Sequence, residues 1–508
     1  MRRSKTLDVN SFITNFERLK ALLPASSDFF DFLTVLFYFI RTSPAGEYQY
    51  LSEYNKWFCS SQKTQKEIRL LFEHYFKLND FSTSLSGWLE ICKLHTCDLF
   101  SICIQTLICC DVFLNDWLKH QPTSGSYVEV GPLNTPNTQS LGYLFLTPPD
   151  GLQSDFILRN HLHSGRNLFA QHPEGLQSKL KNILFIGHKS DLAALPRCIR
   201  YDCVWPDSSL QKVSIATVPV SKYPWFQVLK NLEKGTFRIE YDSTMQDQLV
   251  NACLNILKRI ESSGANIVIF PELALAPDAL RKLRMYLARS FSTSSNIKLI
   301  FTGSNWDITQ RKNIAYILSS QGRILSKIEK KSPFVLKENG GIDSFSEDLS
   351  GATPEILFVD IPRLGRILYS ICKDSLAEER IQLAFSEMRS TLNIVSAYSS
   401  KIPEFLSNAD SLATHYATIS VHCNACASIP YTGDKALREQ SYGFVSVPCV
   451  NNEYEDKQLM CHHYSRETLE PCISCESHCH CFDLYQIFPC TASGPKEVID
   501  VHYTHVCI

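Results

Sequence analysis

From Lys212 onward, apolar runs of strand length alternate with amphipathic helical segments, and this alternation limits the fold more than any other feature of the sequence. The runs predicted as strands are residues 212–220, 265–270, 297–303 and a hairpin of 314–319 with 323–328; the segments predicted as helices are 244–262 and 276–289. Such alternation is typical of an α/β fold built in layers. The number of strands and their order in a sheet do not follow from the pattern.

Residues 1–120 carry a different pattern. Apolar residues recur at helical spacing over the segments 11–23, 28–41, 65–78 and 85–118. Prolines and glycines then recur through residues 121–154, a composition typical of loops and turns. Because 508 residues are too many for one ordinary core, we predict three parts. These are a helical domain of unknown role at 1–120, a Pro/Gly-rich linker and mixed segment at 121–210, and an α/β domain at 211–508.

Charge and hydropathy limit the partners. The formal net charge is -2, so nothing indicates a surface that coats nucleic acid, and we do not expect a nucleic-acid partner. Residues 1–5 have the charge of a signal-peptide start, but no apolar run follows them. The most apolar stretches, 29–40 and 99–110, are each about a dozen residues long, too short to span a bilayer. We therefore expect a cytoplasmic protein that does not enter a membrane.

Three side chains with complementary chemistry lie at the ends of predicted strands. Glu272 follows the buried run at 265–270, Lys330 follows the hairpin, and Cys372 ends the apolar run 367–371. A desolvated carboxylate can take the proton of a thiol, and the resulting thiolate is a strong nucleophile. A nearby ammonium lowers the thiol pKa and stabilises the oxyanion of a tetrahedral intermediate. Since active sites of parallel α/β sheets gather at C-terminal strand ends, the three are predicted to share one site.

Each of these residues also has an ordinary interpretation. A glutamate after a strand is usually solvated, a lysine pair is usually a surface charge, and a cysteine at the end of an apolar strand usually packs in the core. The combination of all three in this order is much less probable by chance, so we favour a catalytic site. Lys331 is an alternative to Lys330.

Four short motifs resemble the nitrilase (carbon–nitrogen hydrolase) superfamily. Phe270-Pro271-Glu272 matches its strand-Phe-Pro-Glu motif, and Ile371-Cys372-Lys373-Asp374 matches its Ile-Cys-x-Asp motif. The spacing from Gly322 to Lys330 matches that of its catalytic lysine, and Glu338, eight residues further on, matches its supporting glutamate. Asn313 before the hairpin and the helix-strand-Asn segment 413–424 agree more weakly. The resemblance covers about residues 210–508.

The resemblance implies a four-layer α-β-β-α sandwich and a Glu272-Lys330-Cys372 triad, with Glu338 orienting Lys330. It implies cleavage of a small amide-like substrate at a non-peptide C–N bond through a cysteine thioester, without a metal or organic cofactor for catalysis. We also expect a homo-oligomer.

Three further residues are predicted to bind substrate. Lys373 stands where the family often has an aromatic residue, and Lys337 where it usually has glycine, so both predict an anionic substrate. Asn424 is the third residue. In the alternative interpretation, the side chains of Lys373 and Lys337 point into solvent or pair with neighbours such as Asp374.

Residues 461–481 are rich in cysteine and histidine. Cys472 and Cys475 form a C-x-x-C pair, which can supply two zinc ligands, and Cys461 or His463 with Cys479 or Cys481 would complete a structural zinc site. Alternatively, the segment is a thiol-rich insertion. Most of the 20 cysteines are expected to be reduced and buried.

A second class of function stays open. The hydrolase fold could serve a regulated effector, scaffold or signalling protein, as in bacterial defence, with the N-terminal helical domain binding a partner. The complete triad favours catalysis.

Overall fold

The computed structural model describes residues 9–26, 28–42, 66–73, 81–94, 99–119, 128–130, 132–133, 135–146, 180, 182–187, 195–201, 212–220, 224–292, 294–338, 342–353, 355–362, 364–426, 443–451, 458–465, 481–489, 491–493 and 496–507. They divide into two compact units. One unit contains the described residues to 119 with those of 130–146 and 180–187, and the other contains residues 128–129 and the described residues from 195 onward.

The labelled helices are α1 Val9–Leu22, α2 Phe29–Arg41, α3 Phe81–Leu94, α4 Leu99–Lys119, α5 Pro136–Gln139, α6 Ser243–Ser262, α7 Pro277–Ser290, α8 Glu378–Ile381 and α9 Ile402–Tyr416, and residues 66–73 are also helical. The strands are β1 Val128–Val130, β2 Gly142–Leu146, β3 Ile183–Gly187, β4 Leu195–Arg200, β5 Val213–Thr217, β6 Phe226–Asn231, β7 Thr236–Tyr241, β8 Ile267–Ile269, β9 Leu299–Asp307, β10 Lys312–Ser319, β11 Ile324–Glu329, β12 Val335–Glu338, β13 Asp343–Glu347, β14 Glu355–Ile361, β15 Gly365–Ile371, β16 Leu392–Ala397, β17 Ile419–Asn424, β18 Gly443–Asn451, β19 Gln458–Ser465, β20 Cys481–Ile487, β21 Thr491–Ser493, β22 Lys496–Val498 and β23 Val501–Cys507.

The first unit packs its helices around an aromatic core. The Asp28 carboxylate caps α2 by accepting a hydrogen bond from Asp31 N at 2.9 Å. On the same helix Phe32 is fully buried, and its ring lies 5.0 Å from that of Trp88 on α3. The segment 85–118, where apolar residues recur at helical spacing, lies in the two helices α3 and α4. Residues 95–98 are outside the described part.

Part of the predicted linker belongs to this first unit. Strands β2 and β3 form an antiparallel pair, and buried Asp31 accepts hydrogen bonds from the hydroxyls of Thr135 and Thr138 at 2.8 and 2.6 Å. Strand β4 instead lies in the second unit, where it pairs with β14. Residues 121–210 therefore contribute to both units, because their short apolar strands are buried in each.

The second unit is a mixed α/β structure with three sheets. A seven-stranded sheet has the order β11-β10-β9-β8-β5-β20-β23. A ten-stranded sheet has the order β1-β4-β14-β15-β16-β17-β18-β22-β21, with β19 also paired to β18. The small sheet β12-β13-β7-β6 adds two hairpin strands, β6 and β7, that the sequence pattern did not predict. The strands and helices predicted over residues 212–328 lie within four residues of the observed bounds.

The two large sheets contact each other through buried side chains. The Phe301 ring on β9 lies 4.8 Å from the Tyr369 ring on β15, and Ser396 Oγ on β16 donates to Phe270 O at 2.7 Å. Both contacts join the parallel parts of the two sheets. Strands β5, β8 and β9 are parallel in one sheet, and β15, β16 and β17 are parallel in the other. The C-terminal ends of β8 and β15 therefore approach each other.

Helices cover the sheets on their other sides. Leu249 of α6 and Leu283 of α7 pack in one core cluster with Val268 of β8 and Ile300 of β9. On the larger sheet, the Phe405 ring of α9 lies 4.7 Å from the His422 imidazole of β17.

Among the described residues, no helix combines the length and apolar character that a membrane span requires.

Candidate active site

Glu272 stands just beyond the end of β8. Proline has no N–H to continue the ladder, so Pro271 ends the strand. Gly303 on β9 adopts φ +68°, and a Cβ there would lie 1.8 Å from Pro271 O, so the strand end rests directly on a glycine. The Glu272 side chain is buried, 4% exposed. The local sequence therefore fixes a carboxylate inside the protein at a strand end.

Cys372 follows β15 and opens a short 3₁₀ turn, Cys372–Leu376. Its φ is +46°, a left-handed conformation that is uncommon for a residue with a side chain. The turn is held by Ser375 Oγ, which donates to Cys372 O at 2.9 Å. Cys372 lines the same cavity as Glu272, and this carboxylate is the charged neighbour that most raises the pKa of the thiol. A strained backbone that places a thiol beside a carboxylate indicates a functional position.

Lys330 follows β11 and is the cation of the site. Its Nζ lies 2.7 Å from Glu272 Oε1, and the residue is 1% exposed. Its backbone N–H donates to Asn313 O at 2.8 Å. The structure thus brings together Glu272, Lys330 and Cys372, which also line one cavity of about 710 Å³. Lys331, the alternative, does not line that cavity.

The second carboxylate at Lys330 belongs to Glu347 and not to Glu338. Glu347 Oε2 lies 2.6 Å from Lys330 Nζ and accepts a hydrogen bond from Phe334 N at 3.0 Å. Glu338, predicted for this role, instead pairs with Lys230 at 2.5 Å, with a side chain 36% exposed. The hairpin of β12 and β13 separates the two glutamates, so counting eight residues from Lys330 ends on its outer strand.

Strand alternation is the sequence signal that could have identified Glu347. On β13, Phe345 and Glu347 are buried while Ser346 between them is only partly buried. Residues two apart share one face of a strand, so a carboxylate in register with a buried phenylalanine points inward. Glu338 follows Leu336 with the same spacing, and the structure separates the two glutamates because Leu336 is only partly buried whereas Phe345 is buried.

Asn313 joins the two carboxylates. Its Nδ2 donates to Glu272 Oε1 at 3.0 Å and to Glu347 Oε1 at 2.9 Å. Asn313 is fully buried at the start of β10. Its amide therefore holds both carboxylates around the Lys330 ammonium, a role that its place before the hairpin did not reveal.

Asn424, predicted to bind substrate, lies behind the site. It is fully buried and does not line the cavity. Its Oδ1 accepts from Ser399 N at 2.9 Å and its Nδ2 donates to Ser399 O at 2.7 Å. The neighbouring Tyr398 N donates to Glu272 Oε2 at 3.1 Å. Asn424 therefore supports the loop that orients Glu272, because its own amide is occupied by that loop.

Lys373 and Lys337 both line the cavity and are exposed. Lys373 Nζ donates to Pro333 O at 3.3 Å. Asp374 does not pair with Lys373: its carboxylate accepts from Lys331 N and Ser332 N and forms an ion pair with Arg380 at 2.8 Å. Two ammonium groups therefore border a cavity whose other walls include the apolar side chains Phe226, Phe237, Ile239, Leu376 and Phe405.

Burial controls the protonation of the site. Burial raises the pKa of Glu272, and Glu347 raises it further, while Lys330 opposes the rise. Burial alone would lower the pKa of Lys330, but Glu272 and Glu347 hold it well above its ordinary value. Burial, with Glu272, also raises the pKa of the Cys372 thiol well above its ordinary value, against the effect of Lys330. At neutral pH the cysteine is therefore a thiol and the lysine a cation, so nucleophilic attack requires a base.

The predicted zinc ligands are only partly within the described residues. Cys472, Cys475 and Cys479 lie outside them. Cys461 lies on β19, where its ligand atom is within 4.8 Å of those of Asp410 and His463. This cluster shares no residue with the cavity lining described above.

The buried set has the parts needed for acyl transfer. Cys372 supplies a nucleophile, Glu272 a base in the same cavity, and Lys330 a fixed positive charge. The cavity admits a small molecule to all three.

No protein-family model matches the sequence, and no curated protein matches it either. Several solved structures are similar to part of the chain. Nit3 of Saccharomyces cerevisiae, a nitrilase-superfamily member, has 16% identity and a TM-score of 0.31, over 51% of this chain and 92% of Nit3. A CN-hydrolase superfamily protein of Xanthomonas campestris has 14% identity and a TM-score of 0.30, over 58% of this chain and 90% of its own. An amidase of Nesterenkonia sp. has 12% identity and a TM-score of 0.27, over 51% and 92%. At these identities and TM-scores, any conclusion about function depends on the geometry of Glu272, Lys330 and Cys372.

Proposed function

We propose that residues 211–508 form a carbon–nitrogen hydrolase domain of the nitrilase type, with Glu272, Lys330 and Cys372 as its catalytic residues. The observation that carries the proposal is that Cys372, Glu272 and Lys330 line one cavity, with the Glu272 carboxylate 2.7 Å from the Lys330 ammonium. The face-to-face sheets with helices outside fit the four-layer sandwich of that family.

The first half of the reaction makes a thioester. Glu272 takes the thiol proton as Cys372 Sγ attacks the amide carbon, and the carbonyl oxygen becomes an oxyanion. The Lys330 ammonium and the backbone N–H of Lys373 stabilise this charge in a site of low dielectric. The C–N bond then breaks, the amine leaves with the proton held by Glu272, and the acyl group remains on sulfur.

The second half returns the enzyme to its starting state. Water attacks the thioester carbon while Glu272 takes one of its protons. Collapse of the second tetrahedral intermediate breaks the C–S bond, releases the carboxylic acid, and lets the thiolate recover its proton from Glu272. Glu347 and Asn313 hold Lys330 and Glu272 in position throughout.

The two lysines at the cavity support an anionic substrate. Lys373 and Lys337 border it, while Phe226, Phe237 and Phe405 offer apolar contact. An amide whose acyl chain carries a carboxylate at its far end fits both features. A purely scaffolding or signalling role would not require a buried thiol, base and cation that line one cavity.

Hydrolysis of a panel of amides tests the proposal. Primary amides with and without a carboxylate, nitriles and ureas would be compared by ammonia release for the wild-type chain and the Cys372→Ser variant. We expect turnover of carboxylate-bearing amides, abolished in the variant. Turnover that survives Cys372→Ser would contradict the proposal, as would a panel without turnover together with no adduct of iodoacetamide on Cys372.

A further inference from the structure

Three side chains with metal-binding chemistry meet away from the cavity. Asp410 lies on α9, and Cys461 and His463 lie on β19. Their ligand atoms are all within 4.8 Å of one another, and His463 Nε2 lies 2.7 Å from Asp410 Oδ1. A thiol, an imidazole and a carboxylate are the three protein groups that zinc binds most often.

The fold holds these groups together. Cys461 and His463 are two residues apart on one strand, so their side chains point to the same face. Strand β19 pairs with β18, and α9 lies against both strands. The three groups thus come from two packed elements and not from a single loop.

A further hydrogen bond orients the histidine. On β18, Ser446 is fully buried and is paired with His463 across the strands. Ser446 Oγ lies 2.6 Å from His463 Nδ1, which leaves Nε2 facing Asp410. Metal-binding histidines commonly use one ring nitrogen for the metal and fix the other in this way.

We propose that Asp410, Cys461 and His463 are three ligands of a zinc ion that joins α9 to β19, with water in the fourth position of the tetrahedron. Around a tetrahedral zinc, neighbouring ligand atoms are about 3.3–3.8 Å apart. The spacing of 4.8 Å or less is close to that range, and the 2.7 Å pair would have to open by less than about 1 Å. The His463 and Asp410 side chains are 32% and 51% exposed, so an ion can reach them.

The ion would join α9 to the edge of the larger sheet. Helix α9 carries Phe405, which lines the cavity, so the zinc would stabilise one cavity wall from behind. It would take no part in the acyl-transfer steps, because none of its ligands lines the cavity. Cys461 and His463 were among the candidate ligands predicted from sequence, and Asp410 was not.

Metal analysis of the full chain tests this site. The protein would be purified without chelator, and its zinc content and its binding of added Zn²⁺ would be measured. We expect about one zinc per chain, lost in Asp410→Asn, Cys461→Ser and His463→Gln. The matched control is His462→Gln, the adjacent histidine of the same strand, which should keep its zinc. Circular dichroism would verify that each variant is folded.

Cobalt substitution gives a second measurement that identifies the thiol. Co²⁺ bound through Cys461 should produce a thiolate charge-transfer absorption that is absent in Cys461→Ser and present in Cys372→Ser. A wild-type chain that binds no zinc, even when titrated with Zn²⁺, would overturn the proposal. It would also be overturned if Asp410→Asn and His463→Gln kept their zinc while a Cys472→Ser/Cys475→Ser double variant lost it. A double variant that keeps its zinc would support the site.

Discussion

Glu347 Oε2 lies 2.6 Å from Lys330 Nζ, and their side chains are only 3% and 2% exposed. Lys330 also contacts Glu272, so two carboxylates share one ammonium in the interior. One negative charge is therefore in excess when both carboxylates are ionised. This excess makes Glu272 a stronger base than an ordinary glutamate, and it keeps Lys330 protonated.

Replacing Glu347 tests its role as a positioning residue. Glu347→Gln keeps the shape of the side chain but removes the charge that holds Lys330, so kcat/KM for amide hydrolysis should fall roughly 10–100-fold, as for other residues that orient a catalytic group. Glu338→Gln is the matched control. Its partner Lys230 lies at the surface, so the rate should stay within about twofold. If Glu338→Gln lowered kcat/KM more than Glu347→Gln, Glu338 would be the residue that positions Lys330.

The pH dependence should follow the ionisation of Glu272. The base must be a carboxylate, so activity falls as pH drops through its pKa, which lies above the ordinary 4.5. Glu347 is one cause of that rise, and removing its charge lowers the pKa of Glu272. The acidic limb of the kcat/KM profile should therefore move to lower pH in Glu347→Gln. An acidic limb at the wild-type position, or at higher pH, would contradict this electrostatic coupling.

Lys373 should recognise charge. In Lys373→Met, KM for a carboxylate-bearing amide should rise about tenfold, a loss of about 1.4 kcal/mol, while a matched neutral amide is nearly unaffected. Lys337→Met should act in the same direction. Lys331→Met is the control, because Lys331 does not line the cavity. Equal losses for charged and neutral amides would mean that Lys373 serves the geometry of the turn and does not recognise charge.

Gly303 should be required for the approach of β9 to the end of β8. In Gly303→Ala the new Cβ would meet Pro271 O at 1.8 Å, and we expect a loss of at least about 3 kcal/mol in the free energy of unfolding. Gly264→Ala isolates the backbone cost, since Gly264 also has positive φ, +76°, but nothing lies within 4 Å of its Cβ position. The free energy of unfolding of Gly264→Ala should fall by about 1 kcal/mol. If urea denaturation gave equal losses for Gly303→Ala and Gly264→Ala, the close contact of Gly303 with Pro271 would be contradicted.

The sequence predicted those parts of the site that follow from local pattern. A buried strand that stops at Pro271 places Glu272 at its end, and the apolar run before Cys372 does the same for the thiol. The helices within residues 243–290 follow from hydrophobic periodicity because each buries one face. The central strands β5, β8 and β9 follow from continuous apolar runs because they are buried on both faces. The order of the strands depends on contacts between distant segments, which periodicity does not encode.

Glu338 and Asn424 lie outside the places predicted for them, for a common reason. Spacing along the chain does not determine positions that a hairpin and a loop set in space. The β12–β13 hairpin carries Glu347 to Lys330, and a pair of hydrogen bonds to Ser399 turns the Asn424 amide away from the cavity. A homo-oligomeric state and a cytoplasmic location stay predictions.

The rate at which Cys372 reacts tests the central claim most directly. The chain would be treated with limiting iodoacetamide, itself an amide, and the labelled cysteines would be quantified by peptide mapping. Cys372 should label at least about tenfold faster than Cys92 and Cys103, which are fully buried in the first unit, because it faces a cavity that it shares with the base Glu272. Glu272→Gln should remove that advantage and leave the other two unchanged. If Cys372 labels no faster than Cys92 and Cys103, or labels equally fast without Glu272, it is not the activated nucleophile.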